Sequence, residues 1–407
     1  MYELLKGLRV VEASSFVASP SAGLYLAQMG AEVIRVDQIG GGPDFRRWPV
    51  SAEGASFYWE GLNKAKKSVA VDLKSPKGRE IVQRLATAQE KNAGLFVTNY
   101  PVDGFLSYER LKALREDVIV ARIMGNADGS PALDYTVNCA VGIPQMTGPA
   151  SLGDAPVNHV LPAWDLLAGA YAAFSLLAAE RRRRETGQGG EIRLPLADLA
   201  IASVANLGQI AEVLYQNADR PRLGNDVYGA FGRDFQTKDG ARVMIMALTA
   251  RQWTDLVKRL DLAEDIAALE NALGVSLAES EGVRFEHRDA IAAIVAERAA
   301  KRTLAELTAM FEGTGVCWGP YQSLRQAADD PTLVRANPVF AEMTNPSGFS
   351  YPTPGAAATL VNEARRAPAP APRLGADTDK VLSSVLGLSA QEIAELHDEG
   401  VVASADD

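Results

Sequence analysis

Apolar runs alternate with longer helical patterns through the first part of the chain. The apolar runs predict strands at Leu8–Val11, Ala31–Asp37, Ser68–Asp72, Gly94–Thr98 and Val118–Ala121. Between the first two runs, Ser19 and Pro20 suit the first turn of a helix, and Gly30 suits its end. Strands that alternate with helices predict an α/β protein built on a parallel, doubly wound sheet.

The pattern changes near residue 222. Phe231–Gln236 and Val243–Leu248 flank the turn Lys238-Asp239-Gly240, which predicts a hairpin. Helical patterns fill 250–314, and the segment 366–373 is an extended run of Pro and Ala between two arginines. We therefore expect a second, smaller domain in the centre of the chain.

The longest apolar segment, Leu166–Ala179, follows directly on Asp165. It is shorter than the roughly 20 residues that a membrane helix needs, so it predicts a buried helix with a carboxylate at its entrance. Asp is a favoured N-cap residue, because its oxygen accepts a free backbone N–H and its charge suits the positive helix end. Locally the cap is the commoner role of such an Asp, and a reactive group is the alternative.

Composition and charge narrow the range of functions. The chain of 407 residues is 47% apolar and 23% charged, and its net charge is −10. That charge argues against a broad nucleic-acid surface. The first residues, Met1–Lys6, do not have the layout of a signal peptide. We expect a cytoplasmic protein that binds neither a membrane nor nucleic acid.

Few residues have the spacing of a known reactive motif. His159, His287 and His397 are scattered, which argues against a zinc site, and no metal is expected. Neither a G-x-x-x-x-G-K-[ST] phosphate loop nor a G-x-S-x-G nucleophile motif occurs. His159 precedes Asp165 by six residues. It is either a histidine of the core or rim or a partner of that carboxylate.

Three further groups are ambiguous from local sequence. Asn99 and Tyr100 follow a predicted strand, where they form either a ligand site or an ordinary turn. The lysines between 64 and 74 are either a ledge for phosphates or a solvated charge run. The segment Arg222–Gly232 is rich in Gly and aromatic residues, and it is either a mobile flap or a connection between domains.

Taken in order, many short blocks resemble the class III, formyl-CoA transferase-like coenzyme A transferases. The blocks are Leu5–Glu12, Ala18–Pro20, Gly30–Ile34, Asn63–Ser68, Asp72–Lys74, Asn99-Tyr100, Asp165–Gly169, Ala178–Glu180, Thr186–Gly189, Gly224-Asn225 and Gly319-Pro320. The resemblance runs from about residue 5 to the C-terminal tail. It is specific because so many blocks occur in the family's order.

The resemblance implies a fold and an assembly. We expect an α/β enzyme whose Rossmann-like large domain is made from both chain ends, 1–205 and 330–407, with a small central α+β domain at 222–325. Two such subunits interlock like chain links into a homodimer. The substrate is an acyl-CoA, so coenzyme A is part of the substrate and no cofactor is bound permanently.

The resemblance also implies a site in which Asp165 attacks the acyl-CoA thioester. The helix N-terminus would hold this carboxylate ionised, and an aspartyl mixed anhydride would form and pass on through an aspartyl-CoA thioester. The positions implied for CoA are Val17, Ala18, Val71, Lys74, Asn99, Tyr100 and Tyr135. The candidates for the acyl group are Arg46, Arg47, His159 and Tyr228.

The chain departs from the family's usual pattern at several places. Gln38 stands where the formyl-CoA enzyme has an Arg, and the loop after Asn99 is shortened to Pro101–Gly104. Phrases such as Val157–Asp165 resemble a branch of the family that moves CoA between the two carboxyl groups of one C5 dicarboxylate. The alternatives are intermolecular transfer of CoA to a separate free acid and a catalytically silent CoA-binding protein.

Overall fold

A computed structural model describes residues 1–405 and contains three β-sheets. The strands are β1 Arg9–Ala13, β2 Glu32–Gln38, β3 Lys67–Val71, β4 Leu95–Thr98, β5 Ile119–Met124, β6 Gly190–Pro195, β7 Phe231–Gln236, β8 Arg242–Ala247, β9 Cys317–Pro320, β10 Phe340–Thr344, β11 Ser350–Pro354 and β12 Val402–Ala403.

The helices surround these sheets. They are α1 Ala18–Gln28, α2 Phe57–Asn63, α3 Pro76–Ala86, α4 Tyr108–Leu114, α5 Asp134–Ala140, α6 Ile143–Met146, α7 Ala163–Thr186, α8 Leu196–Asn206, α9 Gln209–Gln216, α10 Ala250–Arg259, α11 Ala263–Leu273, α12 Glu281–Glu286, α13 Arg288–Ala299, α14 Leu304–Phe311, α15 Leu324–Asp329, α16 Thr378–Leu386 and α17 Ala390–Asp398. Ala150–Leu152 forms a short 3₁₀ turn and Pro331–Arg335 a π turn.

The largest sheet has seven strands in the order β12-β3-β2-β1-β4-β5-β6. All its neighbouring strands run parallel except β12, which pairs antiparallel with β3. The α/β fold with a parallel sheet is therefore confirmed. The order 3-2-1-4-5-6 is that of Rossmann folds, and it reverses between β1 and β4. Ligands of such sheets bind beyond the carboxyl ends of the strands at this point of reversal.

Alternate residues of the central strands are buried on opposite faces of the sheet. Val10 belongs to the core on one face, with α1 and α7, and Val11 belongs to the core on the other face, with α3 and α16. Burial on both faces explains why these strands are almost continuously apolar in sequence.

The chain divides into two compact units. The first unit contains Met1–Val141, His159–Tyr215 and the chain from Asp330 onward, and the second contains Gly142–Asn158 and Gln216–Asp329. The sequence prediction keeps residues 142–158 with the first part of the chain, and its domain boundaries stay a prediction.

The second unit is built on the antiparallel sheet β7-β8-β9. Strands β7 and β8 form the hairpin expected from the sequence. Helices α10, α11, α13 and α14 contribute apolar side chains to one core around Phe231 and Trp253.

The C-terminal segment completes the edge of the large sheet. Val402 pairs with Val71 of β3. The Asp377 carboxylate accepts the Ser68 N–H at 3.0 Å, and the Thr378 hydroxyl accepts the Ala70 N–H at 3.1 Å. The polar groups of β3 on this side are therefore bound by residues from the far end of the chain.

Within residues 1–405, no single helix is both long and apolar enough to cross a membrane. In the same range, the helices α8 and α9 are together long and apolar enough, but a bend of 66° separates them.

Candidate active site

Asp165 lies in the first turn of α7, not at its cap. The helix begins at Ala163 and the N-cap position is Pro162, so the interpretation of Asp165 as the N-cap is wrong. An N-cap side chain reaches the free N–H groups because it stands before the helix. Asp165 is already inside the first turn, after the N-cap position, and it is partly buried.

Asp134 performs the capping instead, from the start of α5. Its Oδ2 accepts the backbone N–H of Trp164 at 2.7 Å and that of Asp165 at 3.1 Å. Its Oδ1 lies 2.5 Å from Nε2 of His159, and the side chain is almost fully buried. Trp164 is held a second time, because its indole N–H donates to Oδ1 of Asn138 at 3.0 Å. The backbone at Trp164 and at Asp165, the nucleophile candidate, is thus fixed by α5.

The environment of Asp165 raises the pKa of its carboxyl group to about 6. Burial is the main cause, and the charge of Asp134 adds to it. Desolvation thus opposes the helix N-terminus, which we expected to keep this group ionised, and the pKa lies above its ordinary value. At pH 7 about nine-tenths of the carboxyl groups are nevertheless ionised, since pH 7 is one unit above the pKa.

A glycine lets α7 approach α1 closely next to this carboxylate. A Cβ atom on Gly169 would lie 2.1 Å from Oγ of Ser21 and 2.7 Å from the carbonyl oxygen of Ala18. Residues four apart lie on the same face of a helix, so Asp165 shares the face of Gly169 that contacts α1. Asp165 is thereby brought toward the start of α1, at Ala18, and toward the loop that precedes it and ends at Val17.

That loop, Ser14–Val17, is held from three sides. The side-chain amide of Asn99 accepts the Ser15 N–H at 3.1 Å and donates to the Ser15 carbonyl at 2.8 Å. The Asp44 carboxylate accepts the Phe16 N–H at 3.1 Å. Phe16 has a φ of 68°, a left-handed conformation that is unfavourable for an aromatic residue. Asn99 therefore joins the ends of β1 and β4, where the strand order reverses.

A buried network of five charged side chains lies beneath this loop: Glu12, Arg35, Asp37, Asp44 and Lys66. Arg35 is its centre and forms ion pairs with all three carboxylates at 2.7 to 3.2 Å. Burial alone would lower the pKa of Arg35, but these charges raise it above its ordinary value. Burial lowers the pKa of Lys66 to about 8. Arg35 also donates to the Ser14 carbonyl, so the network supports the loop.

Tyr58 interacts electrostatically with Asp165, and Arg47 packs on Tyr58. The Arg47 guanidinium lies over the rings of Phe16 and Tyr58, at 5.6 and 5.4 Å from their centroids. The pKa of Tyr58 is raised to about 12, mainly by burial and further by the charges of Asp165 and Asp44, although Arg47 opposes this. Tyr58 thus senses the charge of Asp165 and is itself in contact with a cation.

Arg46 does not share the position of Arg47 over the Tyr58 ring. It lines a separate cavity of about 490 Å³ together with Glu53, Trp59 and Arg373. Asn99 and Tyr100 line another cavity, of about 510 Å³, beyond the carboxyl ends of β4 and β5, and Arg193 reaches it from β6.

The other expected CoA positions include Val71 and Lys74, at and after the end of β3, and Tyr135 in α5. Val71 is buried at the end of β3, and Lys74 is exposed after it, with its N–H bonded to Asp72 at 2.9 Å. Tyr135 is 42% exposed, donates its hydroxyl to the Val160 carbonyl at 3.3 Å, and packs edge-on against His159.

Tyr228 belongs to the second unit. Its ring packs against Phe285, with centroids 5.2 Å apart, and the Arg220 guanidinium lies 3.9 Å above it. These contacts hold the Gly-rich segment of that unit in place.

Sequence reasoning missed Asp134, Tyr58 and the network around Arg35. Asp134 stands at the start of a helical pattern, and that was the available signal, but its partners lie 25 to 31 residues further along the chain. Within residues 1–405, no group of three His, Cys, Asp or Glu side chains is arranged to hold a metal ion.

Comparison with known proteins identifies the family. The sequence profile of CoA-transferase family III matches residues 5–378. A 2-methylfumaryl-CoA isomerase of Chloroflexus aurantiacus is 49% identical over 100% of this chain and 99% of its own length. A Homo sapiens succinyl-CoA:glutarate CoA-transferase is 30% identical over 98% of this chain and 90% of its own.

A solved structure has the same fold. The crystal structure of a CaiB/BaiF family protein from Brucella suis superposes with a TM-score of 0.75, covering 95% of this chain and 100% of that one, at 24% identity. The parallel sheet with its fixed carboxylate and the nearly full-length profile match agree: this chain belongs to CoA-transferase family III.

Proposed function

We propose that this protein moves coenzyme A between the two carboxyl groups of 2-methylfumaryl-CoA, which is also called mesaconyl-CoA. The observation that carries the proposal is the partly buried carboxylate of Asp165 in the first turn of α7, where Asp134 holds its backbone and its charge acts on Tyr58. The similarity to the isomerase of Chloroflexus aurantiacus supports this choice of substrate.

The reaction begins with attack by an Asp165 oxygen on the thioester carbonyl of the substrate. The carbon–sulfur bond breaks, the CoA thiolate leaves with the electron pair, and an aspartyl mixed anhydride remains. The thiolate then attacks the Asp165 carbonyl, which gives an aspartyl-CoA thioester and frees the dicarboxylate. The other carboxylate attacks this thioester, the carbon–sulfur bond breaks, the thiolate leaves again and a second aspartyl mixed anhydride forms. The thiolate finally attacks the substrate-derived carbonyl of this anhydride and displaces the Asp165 carboxylate. Asp165 is regenerated and CoA has changed ends.

The environment of Asp165 suits a nucleophile at neutral pH. A carboxylate whose pKa is about 6 is more basic than an ordinary aspartate, yet it is still mainly ionised. The first N–H groups of a helix have no partner within the helix, so those of Val17 and Ala18 at the start of α1 are the candidates to stabilise the tetrahedral oxyanions. The clamped loop and Gly169 keep these groups and the carboxylate in a fixed relation, which avoids reorganisation during the reaction.

The second carboxyl group of the substrate needs a polar partner. Tyr58 interacts with Asp165 and carries Arg47 on its ring, and His159 is bonded to Asp134, so these side chains are the candidates for a clamp. Holding the freed dicarboxylate and the CoA thiolate together makes the second half of the reaction effectively unimolecular. Transfer within one molecule therefore needs no free acid.

Coenzyme A would extend from this site along the edge of the large sheet. The residues proposed to contact it are those implied by the family: Val17, Ala18, Val71, Lys74, Asn99, Tyr100 and Tyr135. Lys74 is exposed and suits a phosphate group as a point charge. Arg46 and Tyr228 remain candidates for the acyl side.

We further propose that the protein is an interlocked homodimer. Large apolar side chains are exposed on α7, α8 and α9, among them Phe174 at 66%, Leu214 at 75% and Tyr215 at 93%. Apolar side chains at such density mark surfaces that bind another protein. A second copy of the chain is the partner that family membership suggests.

The experiment is incubation of the purified protein with 2-methylfumaryl-CoA alone, with the two regioisomers separated by chromatography. We expect interconversion without added acid and no incorporation of isotopically labelled free 2-methylfumarate. The Asp165→Ala variant should lose all turnover while keeping its circular dichroism spectrum, and Asp398→Ala, which changes an exposed carboxylate of α17, should remain active. Turnover by Asp165→Ala would refute the mechanism.

Intermolecular transfer to a free acid is the second candidate, supported by the similarity to the human CoA-transferase. Label incorporation from free 2-methylfumarate, or activity that requires an added acid, would establish it. A catalytically silent CoA-binding protein is the third candidate. Trapping a covalent Asp165 adduct with hydroxylamine would exclude it.

A further inference from the structure

The carboxylate of Asp134, a residue not expected in the site, binds Trp164, Asp165 and His159. Asp134 uses both oxygens of a nearly fully buried carboxylate, one for the two N–H groups at the start of α7 and one for His159. Its own position is fixed because it is the first residue of α5, where Leu133 and Thr136 close the helix end. The contact to α7 therefore sets where the Asp165 backbone lies relative to α5.

The contact to His159 fixes a ring and its proton. An ionised carboxylate only accepts hydrogen bonds, so Nε2 of His159 is the nitrogen that carries hydrogen toward Asp134. The second ring nitrogen, Nδ1, then faces other groups. Tyr135 packs edge-on against the ring at a centroid distance of 5.6 Å, which restricts its rotation.

We propose that Asp134 is a positioning residue for the transfer reaction: it holds the nucleophile Asp165 and the imidazole of His159 in one fixed unit and selects the tautomer of that imidazole. The inference rests on the proposed function, since it needs Asp165 as the nucleophile. It adds a residue and a role to that function. Both oxygens of Asp134 are bonded within the protein and the side chain is nearly fully buried, so it acts through its two partners, α7 and His159.

The charges around Asp165 come from several elements. Asp134 faces it from α5, and His159, before α7, is bonded to Asp134. Tyr58 faces it from α2, and Arg47, before α2, lies over the Tyr58 ring. Removing the charge of Asp134 therefore removes the like charge beside the nucleophile and leaves the other groups in place.

The test is the Asp134→Asn variant, which keeps the size and shape of the side chain. The Asn oxygen accepts the two N–H groups of α7, and its NH₂ group then faces His159, which must offer an unprotonated Nε2 and carry its proton on Nδ1. We expect kcat to fall roughly 100-fold with KM changed little, as for a wrong tautomer in a fixed geometry. The acid limb of kcat/KM should move to lower pH, because the pKa of Asp165 falls.

Three further variants make the test specific. His159→Gln removes the other end of the contact, and the double variant Asp134→Asn/His159→Gln should be no slower than the slower single variant, since the two residues act as one unit. Asp379→Asn is the matched control, because Asp379 contacts His397 at 2.8 Å between α16 and α17 in the same way. It should leave kcat and the pH profile unchanged.

The outcomes separate this inference from the proposed function. A wild-type protein without isomerase activity refutes the proposed function, whereas an active wild type with an equally active Asp134→Asn refutes the positioning role. Independent losses of activity that multiply in the double variant also overturn it. If Asp134→Asn fails to fold, wild-type kcat in His159→Gln overturns the proposal. A ¹³C NMR titration of the Asp165 carboxyl group reads its ionisation without any need for turnover, and an unchanged titration in Asp134→Asn contradicts the predicted link.

Discussion

Asp165 should make the folded protein less stable at neutral pH than a variant without its charge. Burial and the neighbouring Asp134 raise the pKa of this carboxyl group from an ordinary value of 3.8 to about 6. The folded state therefore binds a proton more tightly than the unfolded state. The stabilisation from that proton is complete below about pH 4 and is lost as the pH rises through 6. We predict that Asp165→Asn stabilises the protein above pH 6.

The magnitude follows from the size of the pKa difference. A shift of about 2 units corresponds to roughly 3 kcal/mol between the two ionisation states. This is an upper value because the side chain is only partly buried. At pH 5, where the folded carboxyl group is mostly protonated and the unfolded one mostly ionised, about half of the difference remains. The Asn side chain has nearly the same volume, so the change adds no cavity term.

The assay is urea unfolding of both proteins between pH 5 and pH 8.5. The free energy of unfolding of Asp165→Asn should exceed that of the wild type by an amount that increases with pH and levels off above pH 7. Asp128→Asn is a control with the opposite sign, since a hydrogen bond from Ser130 lowers the pKa of Asp128 and its ionised form is favoured. A variant less stable than the wild type, or a difference independent of pH, would refute the argument from desolvation.

The remaining predictions concern the placement of α7 and of the loop before α1. Gly169→Ala should reduce kcat at least tenfold, because the added Cβ atom would collide with Ser21 and push α7 away from α1. Gly61→Ala is the control, because a Cβ atom there meets open space, and it should leave kcat unchanged. Equal activity of the two variants in a steady-state assay would contradict this reasoning. Asn99→Asp should lower the free energy of unfolding by about 1 to 3 kcal/mol and should lower activity, because a carboxylate cannot donate to the Ser15 carbonyl. An unchanged melting temperature would show that the bond from Asn99 to the loop is not needed for stability.

The large sheet could be predicted from the sequence because its strands are buried on both faces. Runs such as Val10-Val11 and the Leu95–Thr98 strand are apolar without alternation, and each is followed by a helix with its own start signal. The hairpin at Phe231–Gln236 was found for a similar local reason, since Asp239-Gly240 marks the turn.

The sequence led only to those candidate residues that stand out from their neighbours or lie in a short segment that resembles the family. Asp165 stands out before a long apolar run. The carboxylate that caps its helix, Asp134, belongs to another element, and only the folded chain brings it there. The raised pKa of Asp165 was missed for the same reason, because local sequence suggests a helix dipole but does not reveal how deeply a side chain is buried.

The pairing of β12 with β3 has a consequence for synthesis. The partner of residues 67–71 lies at residues 402–403, so nearly the whole chain must leave the ribosome before that edge is covered. At about 5 to 20 residues per second, the nascent strand waits roughly 15 to 65 s with open N–H and C=O groups. An uncovered strand is a template for pairing with another chain. Expression at low temperature or with chaperones should therefore matter more for soluble yield than the stability of the finished protein.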